Sequence, residues 1–148
     1  MEWLILFIVS WILFFFLVDY KALKSNIWCG LLAVFLQLVI DTNSIQQGRY
    51  SINNSFISIL GSSICFVLGP VIVMATLLAQ FHPEKRWIRI LNIFAFSALY
   101  SLQELLLLLS GSLTYNSWTF FDSLIINTIV MMALSWFSIV VLKKKGDA

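Results

Sequence analysis

Residues 87–109 are WIRILNIFAFSALYSLQELLLLL, residues 110–117 are SGSLTYNS, and residues 118–142 are WTFFDSLIINTIVMMALSWFSIVVL. Each of the two apolar runs exceeds the roughly 20 residues that a helix needs to cross a bilayer. Because backbone polar groups cannot stay unpaired in lipid, runs this apolar are expected to be helices. A loop this short makes two helices antiparallel neighbours. The stretch therefore predicts a helical hairpin inside a membrane.

The composition extends this prediction to the whole chain. The 148 residues are 61% hydrophobic and 11% charged, whereas a soluble domain is about half apolar and about a quarter charged. We therefore predict an all-α integral membrane bundle that forms a single transmembrane domain over residues 1–148. Its five transmembrane helices are predicted at about residues 3–18, 22–42, 55–81, 87–109 and 118–142.

The charges decide whether the second of these helices crosses, because its uniformly apolar part, residues 27–40, is short for a span. If all five helices cross, every lysine and arginine except Arg49 lies on one side. That side then carries Lys21, Lys24, Lys85, Arg86, Arg89, Lys143, Lys144 and Lys145. Cytoplasmic loops are enriched in lysine and arginine. The predicted N-terminus is therefore outside and the predicted C-terminus is cytoplasmic.

The predicted third helix carries small residues at a regular spacing. Gly61, Cys65 and Gly69 are four residues apart, and Pro70 follows directly. Small side chains at this spacing let two helices approach closely, and a proline inside a helix removes one backbone hydrogen bond and kinks it. We expect a close helix contact inside the bundle. A hinge, or a contact with a second copy of the chain, is the alternative.

Polar side chains in the predicted hairpin form the candidate functional site. Tyr100, Ser101 and Glu104 lie close together on the fourth helix, and the fifth offers Asp122 and Asn127. At 1.5 Å per residue, the two carboxyl groups lie about 9 and about 6 Å below the outer ends of their helices. An ionisable residue inside the membrane marks a candidate functional site. Two carboxyl groups at similar depth can share a proton or bind a cation.

A purely structural role is the alternative for these residues. Glu104 would then only accept or donate hydrogen bonds with Tyr100 or Asn127, and Asp122 would cap the start of its helix. A further alternative is a membrane enzyme that acts on lipid-soluble substrates. It would need a second cluster of acids or histidines facing Glu104, and the sequence offers only Asp41 and the polar Gln37 there.

No motif in the sequence indicates a cofactor or a metal. The two cysteines, Cys29 and Cys65, are far apart, and His82 is the only histidine. Three short basic clusters at a membrane surface do not form a nucleic-acid groove, so the lipid bilayer is the expected surrounding. We expect an accessory or interaction protein without enzymatic activity, with a second copy or another membrane protein as partner. The alternative is a small carrier, a channel, or a proton or cation site that uses Glu104 and Asp122 near the outer leaflet.

The last part of the chain resembles a known family. The similar residues are Gly69-Pro70, Phe81-His82-Pro83, Gln103-Glu104, and Gly111 through Tyr115-Asn-Ser-Trp118 with Asp122-Ser123. They resemble a family of small, uncharacterised multi-pass membrane proteins of endospore-forming Gram-positive bacteria. The resemblance covers roughly the last 85 of the 148 residues. It implies a helical protein of a bacterial plasma membrane and assigns no catalytic residue.

Overall fold

The computed structural model describes residues 1–144 and is mostly helical, as predicted. The five helices are α1 (Glu2–Leu17), α2 (Tyr20–Gln46), α3 (Ile64–Gln80), α4 (Arg86–Leu109) and α5 (Phe120–Val140). Four short strands, which were not predicted, are β1 (Tyr50–Ile52), β2 (Ser58–Ile59), β3 (Ser62–Ser63) and β4 (Leu113–Tyr115). Lys145, which contributes to the predicted charge asymmetry, lies outside the described residues.

Helix α3 forms the centre of the bundle. Its residues 69–79 are all buried, and it packs against the other four helices. Those four helices expose large apolar side chains on their outer faces, among them Phe16, Phe35, Leu91 and Phe121. An apolar exterior of this extent is compatible with a lipid surrounding. Helices α2, α4 and α5 are long and apolar enough to cross a membrane, whereas α1 and α3 are shorter.

The structure corrects the first part of the predicted third helix, residues 55–81. Strands β2 and β3 pair antiparallel with Ser58 opposite Ser63, and α3 begins only at Ile64. The two turn residues, Leu60 and Gly61, have φ angles of 52° and 88°. A two-residue hairpin turn with both angles positive favours glycine at its second position. Gly61 therefore lies in a turn and not on a helix face shared with Cys65 and Gly69.

Two glycines allow neighbouring helices to approach α3 closely. A Cβ atom added to Gly69 would lie 2.9 Å from the Cα atom of Phe7 in α1. A Cβ atom added to Gly30 in α2 would lie 2.5 Å from the Oγ1 atom of Thr76 in α3. Pro70 lies in the π-helical segment Val67–Val71, where the irregular hydrogen bonding accommodates the missing N–H group. The half-buried Cys65 packs against the core.

Replacing Gly69 with leucine is expected to destabilise the bundle. The new side chain would push α1 away from α3, and overpacking of this kind costs about 1–3 kcal/mol. We expect a lower midpoint of thermal unfolding in detergent. The matched control is Ala133→Leu, because Ala133 is exposed on α5 and should tolerate the change. An unchanged midpoint for Gly69→Leu would contradict the close contact between α1 and α3.

The bundle has two chemically different ends. At one end, the Gln80 side chain donates to the Leu17 carbonyl at 2.7 Å and accepts from the Asp19 N–H at 2.8 Å. This end therefore joins the end of α1, the start of α2 and the end of α3. The described cations of this end are Lys21, Lys24, Lys85, Arg86, Arg89, Lys143 and Lys144. At the opposite end, β1 pairs with β4 and joins the α2–α3 connection to the α4–α5 connection.

Candidate functional site

The ribbon of β1 and β4 covers a cavity at its end of the bundle. The register of the two strands places Tyr50 opposite Tyr115 and Ile52 opposite Leu113. The ribbon is anchored to the start of α1, because the indole N–H of Trp3 donates to the Asn53 carbonyl at 2.8 Å. Below the ribbon lies a cavity of about 60 Å³. A single water needs about 10–15 Å³ by the same measure, so the cavity can hold a small ligand.

The cavity wall combines aromatic rings with two carboxyl groups. Its aromatic side chains are Trp3, Tyr50, Phe66, Tyr100 and Trp118. Asp41, near the end of α2, and Glu104, on α4, line the same cavity. A mostly apolar pocket with a few convergent polar groups is the usual form of a small-molecule site.

Asp41 is 3% exposed and accepts hydrogen bonds from three neutral groups. The Tyr50 hydroxyl donates to Oδ1 at 2.6 Å, and the Gln37 amide donates to the same oxygen at 2.8 Å. The Ser62 hydroxyl donates to Oδ2. The amide oxygen of Gln37 in turn accepts from the Tyr100 hydroxyl at 2.8 Å. The site thus connects α2, α4, β1 and β3 through one carboxyl group.

Glu104 also accepts hydrogen bonds from three neutral groups. The Ser123 hydroxyl donates to Oε1 at 2.6 Å, and the Tyr115 hydroxyl donates to the same oxygen. The Asn127 amide donates to Oε2 at 3.2 Å and to the Ser101 hydroxyl oxygen at 3.2 Å. The structure therefore brings Ser101 and Asn127, two of the predicted residues, to Glu104. A functional role of these two residues stays a prediction.

Tyr100 and Asp122, the other two predicted residues, make other hydrogen bonds, and Asp122 takes the capping role predicted as the alternative. Tyr100 lines the cavity but donates to Gln37. Asp122 caps the start of α5: its Oδ2 accepts from the N–H and the hydroxyl of Thr119, both at 2.8 Å, and its own N–H donates to the Thr119 hydroxyl at 3.2 Å. This reciprocal arrangement is a capping box. The carboxyl group that shares the cavity with Glu104 is Asp41, because Asp122 is held at the helix start.

From the sequence alone, Asp41 and Gln37 are considered only for a catalytic role, and Asp41 is not placed in the candidate site. Gln37 and Asp41 are four residues apart, so both lie on one face of α2. Tyr115 and Ser123 lie in or beside the polar loop of the predicted hairpin, and their pairing with Glu104 follows from the ribbon. The pairing of β1 with β4 joins residues far apart in the chain, so no local pattern indicates it.

Among the residues that the structure describes, the two carboxyl groups share the cavity with neutral side chains only. Among residues 1–144, no lysine or arginine lines it. Arg49 is exposed, and its guanidinium carbon lies 5.6 Å from the ring centroid of Trp118. Burial, and then the charge of Asp41, raises the pKa of Tyr50. Burial, and then the hydrogen bond to Glu104, raises the pKa of Tyr115. Both phenols therefore stay protonated and act as donors.

The chemistry of the lining suits a ligand that carries positive charge. Carboxylate, amide and hydroxyl oxygens are hard donors, and aromatic faces attract cations. Within the described part of the chain, no three or more histidine, cysteine, aspartate or glutamate side chains are grouped so that they can hold a metal ion.

Comparison with known proteins finds no counterpart: no family model, no curated protein and no solved structure matches this chain. The resemblance to the proteins of endospore-forming bacteria therefore stays a prediction, and so do the bacterial origin and the plasma membrane.

Proposed function

We propose that the chain is a five-span membrane protein that binds a small ammonium-type cation between Asp41 and Glu104. The single observation that carries this proposal is that both carboxyl groups line one cavity and accept hydrogen bonds only from neutral groups. A buried carboxylate is costly unless a proton or another positive charge neutralises it. A cation between the two groups supplies such a charge.

The size and lining of the cavity favour a small organic ammonium ion. Carboxylates neutralise its charge, and its methyl or methylene groups fit against the aromatic walls formed by Trp3, Phe66 and Trp118. The combination of two carboxyl groups with aromatic and apolar side chains suits such an ion, and we propose binding as the role of the cavity. The protein then acts as an accessory component or a carrier of the membrane.

Thermal unfolding of the detergent-solubilised protein tests this function. Methylammonium chloride is compared with N-methylglucamine chloride at equal ionic strength, because the glucamine ion is too bulky for the cavity. A ligand at 100 times its Kd stabilises the folded state by about 2.7 kcal/mol. We expect this gain in the wild type and in Asp122→Asn, and not in Asp41→Asn. Equal stabilisation by sodium or potassium would assign the site to alkali ions, and no stabilisation by any cation would contradict the proposal.

The proposed topology has five spans with the N-terminus outside and the C-terminus in the cytoplasm. Helix α1 has 16 residues, or about 24 Å of length against a hydrocarbon core of about 30 Å. Local thinning of the bilayer accommodates a short span, and α1 carries exposed apolar residues such as Ile8, Ile12 and Phe16. The collection of cations at the end opposite the cavity supports the orientation. The cavity then lies near the outer leaflet.

Cysteine labelling in intact cells tests this topology. In a background with both native cysteines replaced by alanine, single cysteines at Gln47 and Asn116 should react with an impermeant maleimide. A cysteine at Lys144 should react only after the membrane is permeabilised. Labelling at Lys144 in intact cells would contradict the orientation.

A further inference from the structure

The end of the bundle opposite the cavity carries a second polar cluster. His82 follows α3, Arg89 and Asn92 lie one turn apart on α4, and Lys144 follows α5. The Nε2 atom of His82 lies 3.1 Å from the Ser135 hydroxyl oxygen. The pKa of His82 is lowered, first by burial and then by the positive charges of Arg89 and Lys144. The backbone N–H of Lys144 donates to the Ser138 carbonyl at 2.9 Å. Ser138 lies one turn after Ser135 on α5, so Lys144 is at the same end of α5 as the imidazole contact.

Three nitrogen atoms of this cluster are buried without a hydrogen-bond partner among the described residues. They are Nδ1 of His82, Nε of Arg89 and Nδ2 of Asn92. When the Ser135 hydroxyl donates to Nε2 of the imidazole, the ring proton is on Nδ1, and Nδ1 becomes an unpaired donor. A buried donor without an acceptor costs about 1–3 kcal/mol. Nε of Arg89 and Nδ2 of Asn92 are donors in every protonation state, and together with the charge of Lys144 they suit an anion with several acceptor oxygens.

The start of α4 adds to the positive character of this cluster. Its N-cap residue is Lys85, and within residues 1–144 no side-chain cap bond is formed there. The N-terminal end of a long helix presents backbone N–H groups and the positive end of the helix dipole. The guanidinium group of Arg89 is held one turn into the helix, because its Nη2 donates to the Glu84 carbonyl at 2.9 Å.

We propose that His82, Arg89, Asn92 and Lys144 form a binding site for a phosphate group. A phosphate has the acceptor oxygens that the unpaired N–H groups of Arg89 and Asn92 need, and arginine binds it through directed, charge-assisted hydrogen bonds. A protonated His82 adds a third donor at Nδ1. A phospholipid headgroup and a free phosphate both present this group. The site is separate from the cavity at the other end, so it does not depend on the proposed cation function.

The only histidine of the sequence gives a direct readout. In NMR spectra of the whole protein, the imidazole signals of His82 report its pKa. A bound phosphate offsets the charges of Arg89 and Lys144, so its binding raises that pKa. The titration uses inorganic phosphate in a non-ionic detergent, with chloride at equal ionic strength as the comparison. In a second arm, phosphatidylglycerol is titrated into the same phosphate-free detergent micelles.

A saturable rise with phosphate, with phosphatidylglycerol, or with both supports the site, and the arm that responds identifies the source. The variant Arg89→Gln should weaken the response about tenfold or more, the scale of losing a charge-assisted hydrogen bond. The control Arg49→Gln, at the opposite end of the bundle, should leave it unchanged. If Arg89→Gln does not fold, Lys144→Gln takes its place. Equal responses to chloride and phosphate, no response in either arm, or full affinity in these variants would overturn the proposal.

Discussion

Replacing Asp41 with alanine is expected to lower the free energy of unfolding by about 3 kcal/mol or more. The change leaves three donor groups, on Tyr50, Gln37 and Ser62, without their acceptor, and each buried unpaired donor costs about 1–3 kcal/mol. Because Tyr50 belongs to β1 and Ser62 to β3, both strands lose a hydrogen bond to α2. The midpoint of thermal unfolding in detergent should fall by about 6 °C or more.

The matched control for this change is Asp122→Ala. Asp122 also accepts hydrogen bonds, but it lies at the start of α5, where it caps the helix together with Thr119. Loss of a helix cap costs about 1 kcal/mol. Equal destabilisation by the two alanine variants would mean that Asp41 is not the central acceptor of the site.

Replacing Glu104 with glutamine is expected to weaken methylammonium binding about 100-fold while the fold is kept. Glutamine has nearly the same shape, and its carbonyl oxygen can still accept from Ser123 and Tyr115. It removes one of the two negative charges of the cavity, and loss of one partner of a buried charge pair costs about 2–5 kcal/mol. Isothermal titration calorimetry on wild type and variant measures the change.

The control for the glutamine variant is Asp122→Asn, which removes a carboxylate outside the cavity lining. It should bind methylammonium with wild-type affinity. If Glu104→Gln binds methylammonium as well as the wild type does, Glu104 has only a structural role as a hydrogen-bonding group. If both variants lose binding equally, the effect comes from net charge and not from the cavity.

The helices are predictable from the sequence because the signal is composition over a long window. Even the doubtful second helix forms, and it is longer than predicted, since the polar residues at its two ends continue the helix. The hairpin of β2 and β3 was hidden in the third apolar run. Apolar and polar residues alternate over Ile57-Ser58-Ile59 shortly before Gly61, and a short alternation beside a glycine is a hairpin signal. The prediction favoured a helix over this hairpin because the apolar run as a whole has the length of a transmembrane span.

The candidate site was predictable only in part. Glu104 and Asn127 are neighbours because α4 and α5 form the predicted hairpin, so local spacing was enough. Asp41 lies on α2, and its direction depends on the rotation of that helix about its axis within the bundle. Asp122 was placed beside Glu104 on depth alone, but a rotation of one residue turns it away from the row of Ser123 and Asn127.

The cation site is tested most directly by equilibrium dialysis of radiolabelled methylammonium against the purified protein in nanodiscs. We predict saturable binding of one methylammonium ion per chain. Larger primary amines should displace it less effectively as their size increases. We predict no saturable binding to the double variant Asp41→Asn/Glu104→Gln, whose folding is verified by its thermal unfolding. Binding of equal affinity and stoichiometry to this double variant, or no saturable binding to the wild type, would contradict a cation site between Asp41 and Glu104.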